Sequence, residues 1–209
     1  MFLGHYGVAL GAKAAFPETP LPMLMLSTQL IDVVWSGLVL AKVEKVEIDK
    51  TATPTVPLRL SYMPYSHGLF GALTISGLAS LLTYAIYPDA SLQVIFVIFA
   101  VGFSHWLLDL IVHDHDMPLI GNRYHVGFGL WRNRPISIAL EVAIIICGAA
   151  LLPLSGAVAP VKALIVGGVL TIIQVGVFFS SPPETPNKLA VSMLMVFALM
   201  TVVGIWMDT

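Results

Sequence analysis

Three residues near the middle of the chain combine side chains and spacing that suit a metal site. His105, Asp109 and His113 are each four residues apart, and the first two lie within an apolar stretch. Four residues advance a helix by about 400°, so the three side chains would form one stripe on a helix face. Imidazole and carboxylate groups are ligands of zinc and similar divalent metals. Because such groups are costly to bury in lipid, the stripe predicts a polar, metal-binding site.

Other ionisable residues occur in or beside separate apolar stretches of the chain. They are His5, Asp32, His67 and Glu141. Asp32 has no nearby cation in the sequence, and a bound metal would offset the cost of burying its carboxylate. Taken singly, a histidine in an apolar helix is also typical of a hydrogen-bonded core residue. An acid such as Glu141 near the start of a helix is also typical of a favourable interaction with the helix dipole.

The segment after the stripe carries further histidines and acids. Asp116 follows His105 by 11 residues, about 20° from the stripe, so it either joins the site or caps the following turn. His115, Asp114 and His125 are expected in a hydrated loop.

The composition indicates an integral membrane protein. Of the 209 residues, 57% are hydrophobic and only 11% are charged, whereas a soluble domain has roughly 25% charged residues. The length suits a single integral membrane domain over residues 1–209. The net charge of −2 gives no indication of nucleic-acid binding.

Six windows contain the roughly 20 mostly apolar residues that a spanning helix needs. They are residues 20–41, 67–87, 91–112, 136–155, 159–180 and 189–207. A shorter apolar segment, Phe2 to Phe16, precedes Pro17 and predicts a short N-terminal membrane helix. The expected fold is therefore an all-α, polytopic transmembrane helix bundle. Residues 1–145 would form the metal-site core, and residues 159–207 would form C-terminal, lipid-facing helices.

Positive charge predicts the orientation, because Lys and Arg accumulate in cytoplasmic loops. With loops assigned alternately to the two sides, eight of the ten Lys and Arg residues fall on one side, mostly in the long loops 42–66 and 113–135. The long loops are therefore expected to be cytoplasmic. In that topology His67, the stripe and Glu141 lie at the cytoplasmic ends of their helices, and Asp32 is displaced toward the same side. His5 joins them if the first segment crosses the membrane, which favours a seventh helix.

The ordered residues resemble a known family. They include Gly4-His5, Gln29-Leu30-Ile31-Asp32, Tyr65-Ser66-His67, Ser104-His105-Trp106-Leu107-Leu108-Asp109 and Val126-Gly127-Phe128-Gly129-Leu130-Trp131. Over roughly residues 1–145 the chain resembles the bacterial family of predicted membrane-bound metal-dependent hydrolases. The order His, Asp, His, His-x-x-x-Asp is also similar to the zinc-dependent phospholipase C and P1 nuclease group, which is all-helical and cleaves phosphodiesters.

The resemblance implies a set of metal ligands. His5, Asp32, His67, His105 and Asp109 would supply a first cluster, and His113, with Asp116 and Glu141 as candidates, would complete a second. The soluble enzymes have a His-x-x-x-Glu pair, whereas Ser137 precedes Glu141 here. We therefore expect one or two ions, with Zn²⁺ as the metal, rather than three. A second departure is Gly68, which follows His67 where Ser or Thr would be expected.

The leading functional hypothesis is a metal-dependent hydrolase in the bacterial cytoplasmic (inner) membrane. Membrane lipids are the expected partners, and a lipid or another phosphoester is the expected substrate. Asp32 or Glu141 would serve as the general base. The alternatives are a transporter that uses the same residues to bind a cation or relay protons, and an inactive scaffold stapled by metal.

The orientation leads to a direct prediction. Reporters placed in the loop before His67 and in the loop after Asp116 should both be found on the cytoplasmic side, because these loops carry most of the positive charge. Cysteine accessibility to a membrane-impermeant reagent in intact cells provides the measurement. Labelling of either loop from outside would contradict the assignment.

Overall fold

Seven helices account for most of the described structure, and the all-α expectation is confirmed. The computed structural model describes residues 3–209; Met1 and Phe2, which the predicted domain and first helix included, lie outside the described residues. The helices are α1 (Gly4–Ala15), α2 (Leu21–Leu40), α3 (Leu69–Ile86), α4 (Leu92–Val112), α5 (Arg134–Ser155), α6 (Pro160–Phe179) and α7 (Pro186–Asp208).

Helices α2 to α7 are the six described helices that are long and apolar enough to cross a membrane. Each agrees within three residues with one of the six apolar windows, so these predictions are confirmed. Large apolar side chains such as Leu164, Ile172 and Met195 are mostly exposed on the outer surface. A surface of this kind is expected where the surroundings are lipid rather than water. The chain therefore has the fold of a multi-pass membrane protein.

Helix α1 is too short to count among the spans and lies in the interior of the bundle. Its 12 residues extend about 18 Å. Tyr6, Ala9 and Leu10 are completely buried, and the helix contacts α2, α4 and α5. At its C-terminal end, Lys13 Nζ lies 2.8 Å from Asp208 Oδ1 at the end of α7. The short N-terminal helix is thus present, as part of the core.

The contact between α1 and α5 depends on two glycines. A Cβ atom at Gly7 would lie 2.3 Å from the carbonyl oxygen of Ile144, and one at Gly148 would lie 2.1 Å from the carbonyl oxygen of Gly7. Only glycine permits such a close approach of two helix backbones. This contact holds α1, and therefore His5, against α5.

Hydroxyl groups connect the central helices. Ser27 Oγ on α2 donates a hydrogen bond to the Ile98 carbonyl on α4 at 2.8 Å, and Ser80 Oγ on α3 donates one to the Ile95 carbonyl at 3.0 Å. Small and hydroxylated residues are typical of helix interfaces in membranes, where the hydrophobic effect does not favour association. These bonds fix the position of α4, which carries the predicted stripe.

Two short antiparallel hairpins follow the ends of α2 and α4. Strands β1 (Lys45–Ile48) and β2 (Leu58–Tyr62) form the first, and β3 (Met117–Ile120) and β4 (Arg123–Val126) form the second. Asp49 closes the first hairpin by accepting hydrogen bonds from Arg59 Nε and Nη2 at 3.1 and 2.7 Å. Hydrogen bonds from Thr51 and Arg59 hold the pKa of Asp49 at about 2. Both segments were expected to be loops, because strands this short show little periodicity in the sequence.

The two C-terminal helices contact different partners. Helix α6 lies against α5, whereas α7 lies against α2. At one end of the pair, Lys162 Nζ donates a hydrogen bond to the Trp206 carbonyl at 2.9 Å. At the other end, side chains of both helices line a common cavity. One face of each helix therefore lines the protein interior, and the expectation of generic lipid-facing helices was incomplete.

The glycine contact predicts a specific loss of stability. Replacing Gly7→Ala should lower the free energy of unfolding by about 1–3 kcal/mol, because the new methyl group meets a backbone carbonyl that cannot move alone. Thermal unfolding in detergent is the measurement. Gly168→Ala is the matched control, since a Cβ there meets no atom within 4 Å. Equal stability of the two variants would contradict the assigned packing.

Candidate metal centre

The predicted stripe is present on α4, with one adjustment at its end. His105 and Asp109 lie within the helix, and His113 is the residue that caps its C-terminus. The His113 amide still donates to the Asp109 carbonyl at 2.8 Å, so its side chain continues the helical row. All three residues are almost completely buried. The three side chains therefore form the row that their spacing predicts.

The carboxylate of Asp109 lies at the centre of four imidazole rings. His5 Nε2 lies 3.3 Å from Oδ1. The Nε2 atoms of His105, His67 and His113 lie 3.2, 3.5 and 3.8 Å from Oδ2. The four histidines come from α1, the residue before the N-cap of α3, and α4 with its C-cap. Three separate segments thus deliver a ring nitrogen to one side chain.

Asp32 supplies a second carboxylate from α2. Its Oδ1 lies 3.3 Å from His67 Nε2 and 3.7 Å from His105 Nε2. Among the described residues, no Lys or Arg forms an ion pair with Asp32. Asp32 and His5 therefore lie at the same level of the bundle as the α4 stripe.

Two overlapping sets of three residues have ligand atoms within 4.8 Å of one another. The first set is His5, His105 and Asp109, and the second is Asp32, His67 and His105. Because the single Nε2 of His105 can bind only one ion, the two sets cannot be filled independently. Asp109 is the side chain that can link neighbouring ligand positions, since its two oxygens face different histidines.

Hydrogen bonding selects the tautomer of His105. Its Nδ1 lies 2.8 Å from the Thr28 carbonyl oxygen. A carbonyl only accepts hydrogen bonds, so Nδ1 carries the proton and Nε2 presents a lone pair to the cluster. The hydroxyl of Thr28 donates a hydrogen bond to the His5 carbonyl at 3.0 Å, which connects α2 to α1.

A three-residue relay orients His67. Its Nδ1 lies 2.8 Å from Ser66 Oγ, and that hydroxyl donates to Glu44 Oε2 at 2.5 Å. Because the Ser66 proton is committed to Glu44, its oxygen accepts from His67 Nδ1–H and leaves Nε2 unprotonated. Glu44 is only 2% exposed and also accepts from the Tyr65 and Ser66 amides at 2.8 and 3.0 Å.

Glu44 and Ser66 were not identified as site residues from the sequence. A Ser or Thr hydroxyl was expected from the residue after His67, whereas in the structure the hydroxyl belongs to Ser66, the residue before it. Gly68 is required where it stands, since a Cβ there would lie 2.4 Å from the Pro64 carbonyl oxygen. The residue pair Ser66-His67 was the available signal, but Glu44 is 22 residues away in sequence from Ser66.

Asp116 contacts His113 and does not face the cluster as a ligand would. Its Oδ1 lies 3.0 Å from Nδ1 of His113, so it is behind the ring and not on the side that faces Asp109. Carboxylates in this position fix the tautomer and orientation of ligating histidines. Trp131 covers the same ring, with 4.2 Å between the ring centroids.

The chain after β4 folds back over the end of α4. A Cβ atom at Gly127 would lie 1.9 Å from the Asp114 carbonyl oxygen, and the Gly129 amide donates to the His113 carbonyl at 2.6 Å. Arg132 Nε donates to Asp114 Oδ2 at 3.0 Å. The hydrogen bonds from Arg132 lower the pKa of Asp114. Asp114 thus stabilises this turn, while His115 and His125 are exposed as expected.

Glu141 lies beside the cluster and outside both ligand sets. It is 1% exposed, and its Oε2 lies 3.4 Å from the Gly4 amide nitrogen, next to His5. Its carboxyl group lines the same cavity as Asp32 and Asp109. The predicted convergence of this residue with the stripe is therefore present in the fold.

The arrangement of donors fits a divalent metal ion. Nε2 of His105 and both ring nitrogens of His5 are buried without a well-directed hydrogen bond, although Asp109 is 3.2–3.3 Å away. The ring nitrogens and the carboxylate are close together without forming directed hydrogen bonds, as expected for ligands of a shared ion. Buried His and Asp groups of this site could therefore hold a metal ion.

A cavity of about 610 Å³ extends from the cluster. Its polar part includes Asp32, His67, Asp109, His113 and Glu141. The remaining walls come mainly from the start of α5, from α6 and α7, and from the loop between β1 and β2. They include Lys50, Thr53, Pro57, Arg134, Gln174, Val177, Phe178, Phe179, Leu189, Met193 and Val196. The candidate ligands are thus open to a space large enough for a small-molecule ligand.

Fold and site together define a helical, multi-pass membrane protein with a buried His/Asp cluster able to hold a metal ion. Comparisons of the chain with protein-family models, with curated proteins and with solved structures find no match.

The relay behind His67 leads to a sharp prediction. Glu44→Gln should weaken the affinity of the cluster for a divalent metal, with zinc as the probe, by about tenfold to a hundredfold. The new amide can donate to Ser66 Oγ, which frees the hydroxyl proton for Nδ1 and moves the His67 proton to Nε2. Competition with a chromophoric chelator is the measurement. Glu47→Gln is the matched control on the exposed face of the same hairpin, and an equal affinity of the two variants would contradict the relay.

Proposed function

We propose that the protein is a membrane-embedded, metal-dependent hydrolase that acts on a phosphoester or lipid-type substrate at the cytoplasmic face. The observation that carries the proposal is the convergence of four histidines and two aspartates beside a cavity of about 610 Å³. The resemblance of the His/Asp order to zinc-dependent phosphodiesterases supports the same reaction class.

A divalent cation in this cluster, with Zn²⁺ as the expected metal, would supply a Lewis acid that polarises a phosphoryl oxygen and makes a water molecule more acidic. The chain's contribution is to hold the ligands with their lone pairs facing inward. Thr28, Ser66 and Asp116 do so through the Nδ1 atoms of His105, His67 and His113. The two aspartates supply the negative charge that a divalent cation would balance.

Glu141 is the best-placed general base. It lines the cavity and belongs to neither ligand set, which is the position that a general base takes beside a metal. Asp32 is the other candidate, although its Oδ1 already faces two histidines.

The proposed reaction balances without an external oxidant or reductant. The oxygen of water forms a bond to phosphorus while the bond from phosphorus to the leaving oxygen breaks. The carboxylate accepts one proton from water, and this proton then passes to the leaving oxygen, which departs as an alcohol. The products are a phosphomonoester and an alcohol.

The first test of this function is metal content. Protein purified in detergent should contain a divalent metal, and Asp109→Ala and His67→Ala should each lose most of it, because each removes a carboxylate or imidazole from the centre of the cluster. His125→Ala, which removes an exposed histidine, is the control and should retain the metal. Added zinc should raise the thermal stability of the wild type and of the control, since a ligand of the native state stabilises it.

Activity separates the hydrolase from its alternatives. The wild type should hydrolyse bis(p-nitrophenyl) phosphate, and the two cluster variants should show little or no turnover. Absence of both bound metal and zinc-dependent stabilisation would overturn the proposal. Metal that accumulates inside proteoliposomes without hydrolysis would identify a transporter, and bound metal with neither activity would identify a scaffold.

A further inference from the structure

The cavity reaches the surface between α6 and α7. These helices meet at one end, where Lys162 Nζ lies 5.3 Å from the ring centroid of Trp206. Along the rest of their length each lies against a different helix, α5 or α2, rather than against the other. Toward their other ends both helices line the cavity, which therefore occupies space between them.

The walls of this gap are mainly apolar and adjoin the lipid-facing surface. Val177 and Phe178 line it from α6, and Leu189, Met193 and Val196 line it from α7. Exposed apolar side chains stand at its edge, with Phe179 69% and Val177 40% exposed. Since both helices have the length and hydropathy of membrane spans, an alkyl chain could pass through this gap without leaving an apolar environment.

Two cationic side chains also line this cavity. They are Lys50, from the loop after β1, and Arg134, at the start of α5. The Arg134 guanidinium carbon lies 4.5 Å from the centre of the Phe179 ring. Its Nε is buried without a hydrogen-bond partner.

Some basic residues of the described chain are paired with a carboxylate and others are not. Lys13, Arg59 and Arg132 each form an ion pair with an aspartate. Within residues 3–209, neither Lys50 nor Arg134 is paired with a carboxylate. An unpaired guanidinium facing a cavity is suited to a phosphate group, which it can bind through two parallel hydrogen bonds.

We propose that the substrate is an anionic phospholipid that reaches the metal centre laterally, with an acyl chain between α6 and α7 and its headgroup beside Arg134 and Lys50. The cavity matches such a molecule in three respects: it has an apolar gap at the lipid surface, an unpaired cation within it, and metal ligands at its inner end. The proposal rests on the proposed hydrolase function only for the reaction itself, and its binding geometry can be tested separately.

Binding is tested first, without reference to activity. A phosphatidylglycerol bearing a diazirine in its acyl chain is incorporated into nanodiscs with the wild-type protein and photolysed. Mass spectrometry should find cross-links on the cavity-facing residues of α6 and α7, and excess unlabelled phosphatidylglycerol should reduce them. Cross-links confined to outward-facing residues would overturn the proposed site.

Two methionines on α7 provide a matched pair of variants. Met193 lines the cavity and is 9% exposed, whereas Met195 is 67% exposed on the lipid-facing side. Met193→Trp should lower hydrolysis of phosphatidylglycerol in nanodiscs by roughly tenfold or more, because the indole would fill the gap. Met195→Trp should leave the rate unchanged.

Recognition of the headgroup is tested with Arg134→Gln. This variant should lose roughly tenfold in kcat/KM for phosphatidylglycerol, with a smaller loss for phosphatidylcholine, whose headgroup carries no net charge. Arg123→Gln, in the exposed strand β4, is the control. Equal losses for the two lipids would contradict the role of Arg134 in recognising the anion.

The water-soluble bis(p-nitrophenyl) phosphate separates failure of this inference from failure of the proposed function. If it is hydrolysed equally by the wild type and Met193→Trp while phosphatidylglycerol hydrolysis falls, lateral access is supported. If both substrates are affected equally, or if only bis(p-nitrophenyl) phosphate is cleaved, lateral access is wrong and the hydrolase function stands. Cavity cross-links without hydrolysis of either compound would retain the lipid site and reject the hydrolase.

Discussion

The carboxylate of Asp109, surrounded by the ring nitrogens of four histidines, is the interaction on which the rest of the site depends. A carboxylate that is only 2% exposed inside an apolar bundle would be unfavourable if it were unpaired. Its neighbours arrive from α1, from the chain just before α3, and from α4 with its C-cap, so the requirement to surround this charge fixes the relative positions of these segments. The Gly7–Gly148 contact serves the same arrangement, because it holds α1 close to α5.

The groups outside the cluster determine its chemistry as much as the ligands do. Thr28, Ser66 with Glu44, and Asp116 each bind the Nδ1 side of a different histidine. Each therefore directs an unprotonated Nε2 inward, which is the state that binds a metal. If the imidazoles were protonated at Nε2 or oriented differently, the same residues would present no lone pairs to a metal ion.

The two ends of the bundle differ in the polar groups that they contain. At one end, the two hairpins, the cluster and the cavity bring polar groups together. At the other end, Lys13 bonds to Asp208 and to the carbonyls of Pro17 and Thr19, and Asp208 accepts from the Leu21 amide. Between these ends Tyr6, Ala9 and Leu10 are completely buried. The candidate ligands therefore lie toward one end of the bundle, and this apolar segment of α1 separates them from the Lys13–Asp208 pair.

The sequence alone determined the features that depend on local pattern. Six spans follow from apolar length, and the row of His105 and Asp109 follows from helical spacing, because hydropathy and periodicity act over adjacent residues. The convergence of His5, Asp32, His67 and Glu141 followed from assigning their depths. Only the tertiary structure decided the pairing of Glu44 with Ser66, the position of Asp116 behind His113, and the cavity between α6 and α7. These depend on contacts between residues distant in sequence and on backbone close approach, and no local pattern of residue types encodes either.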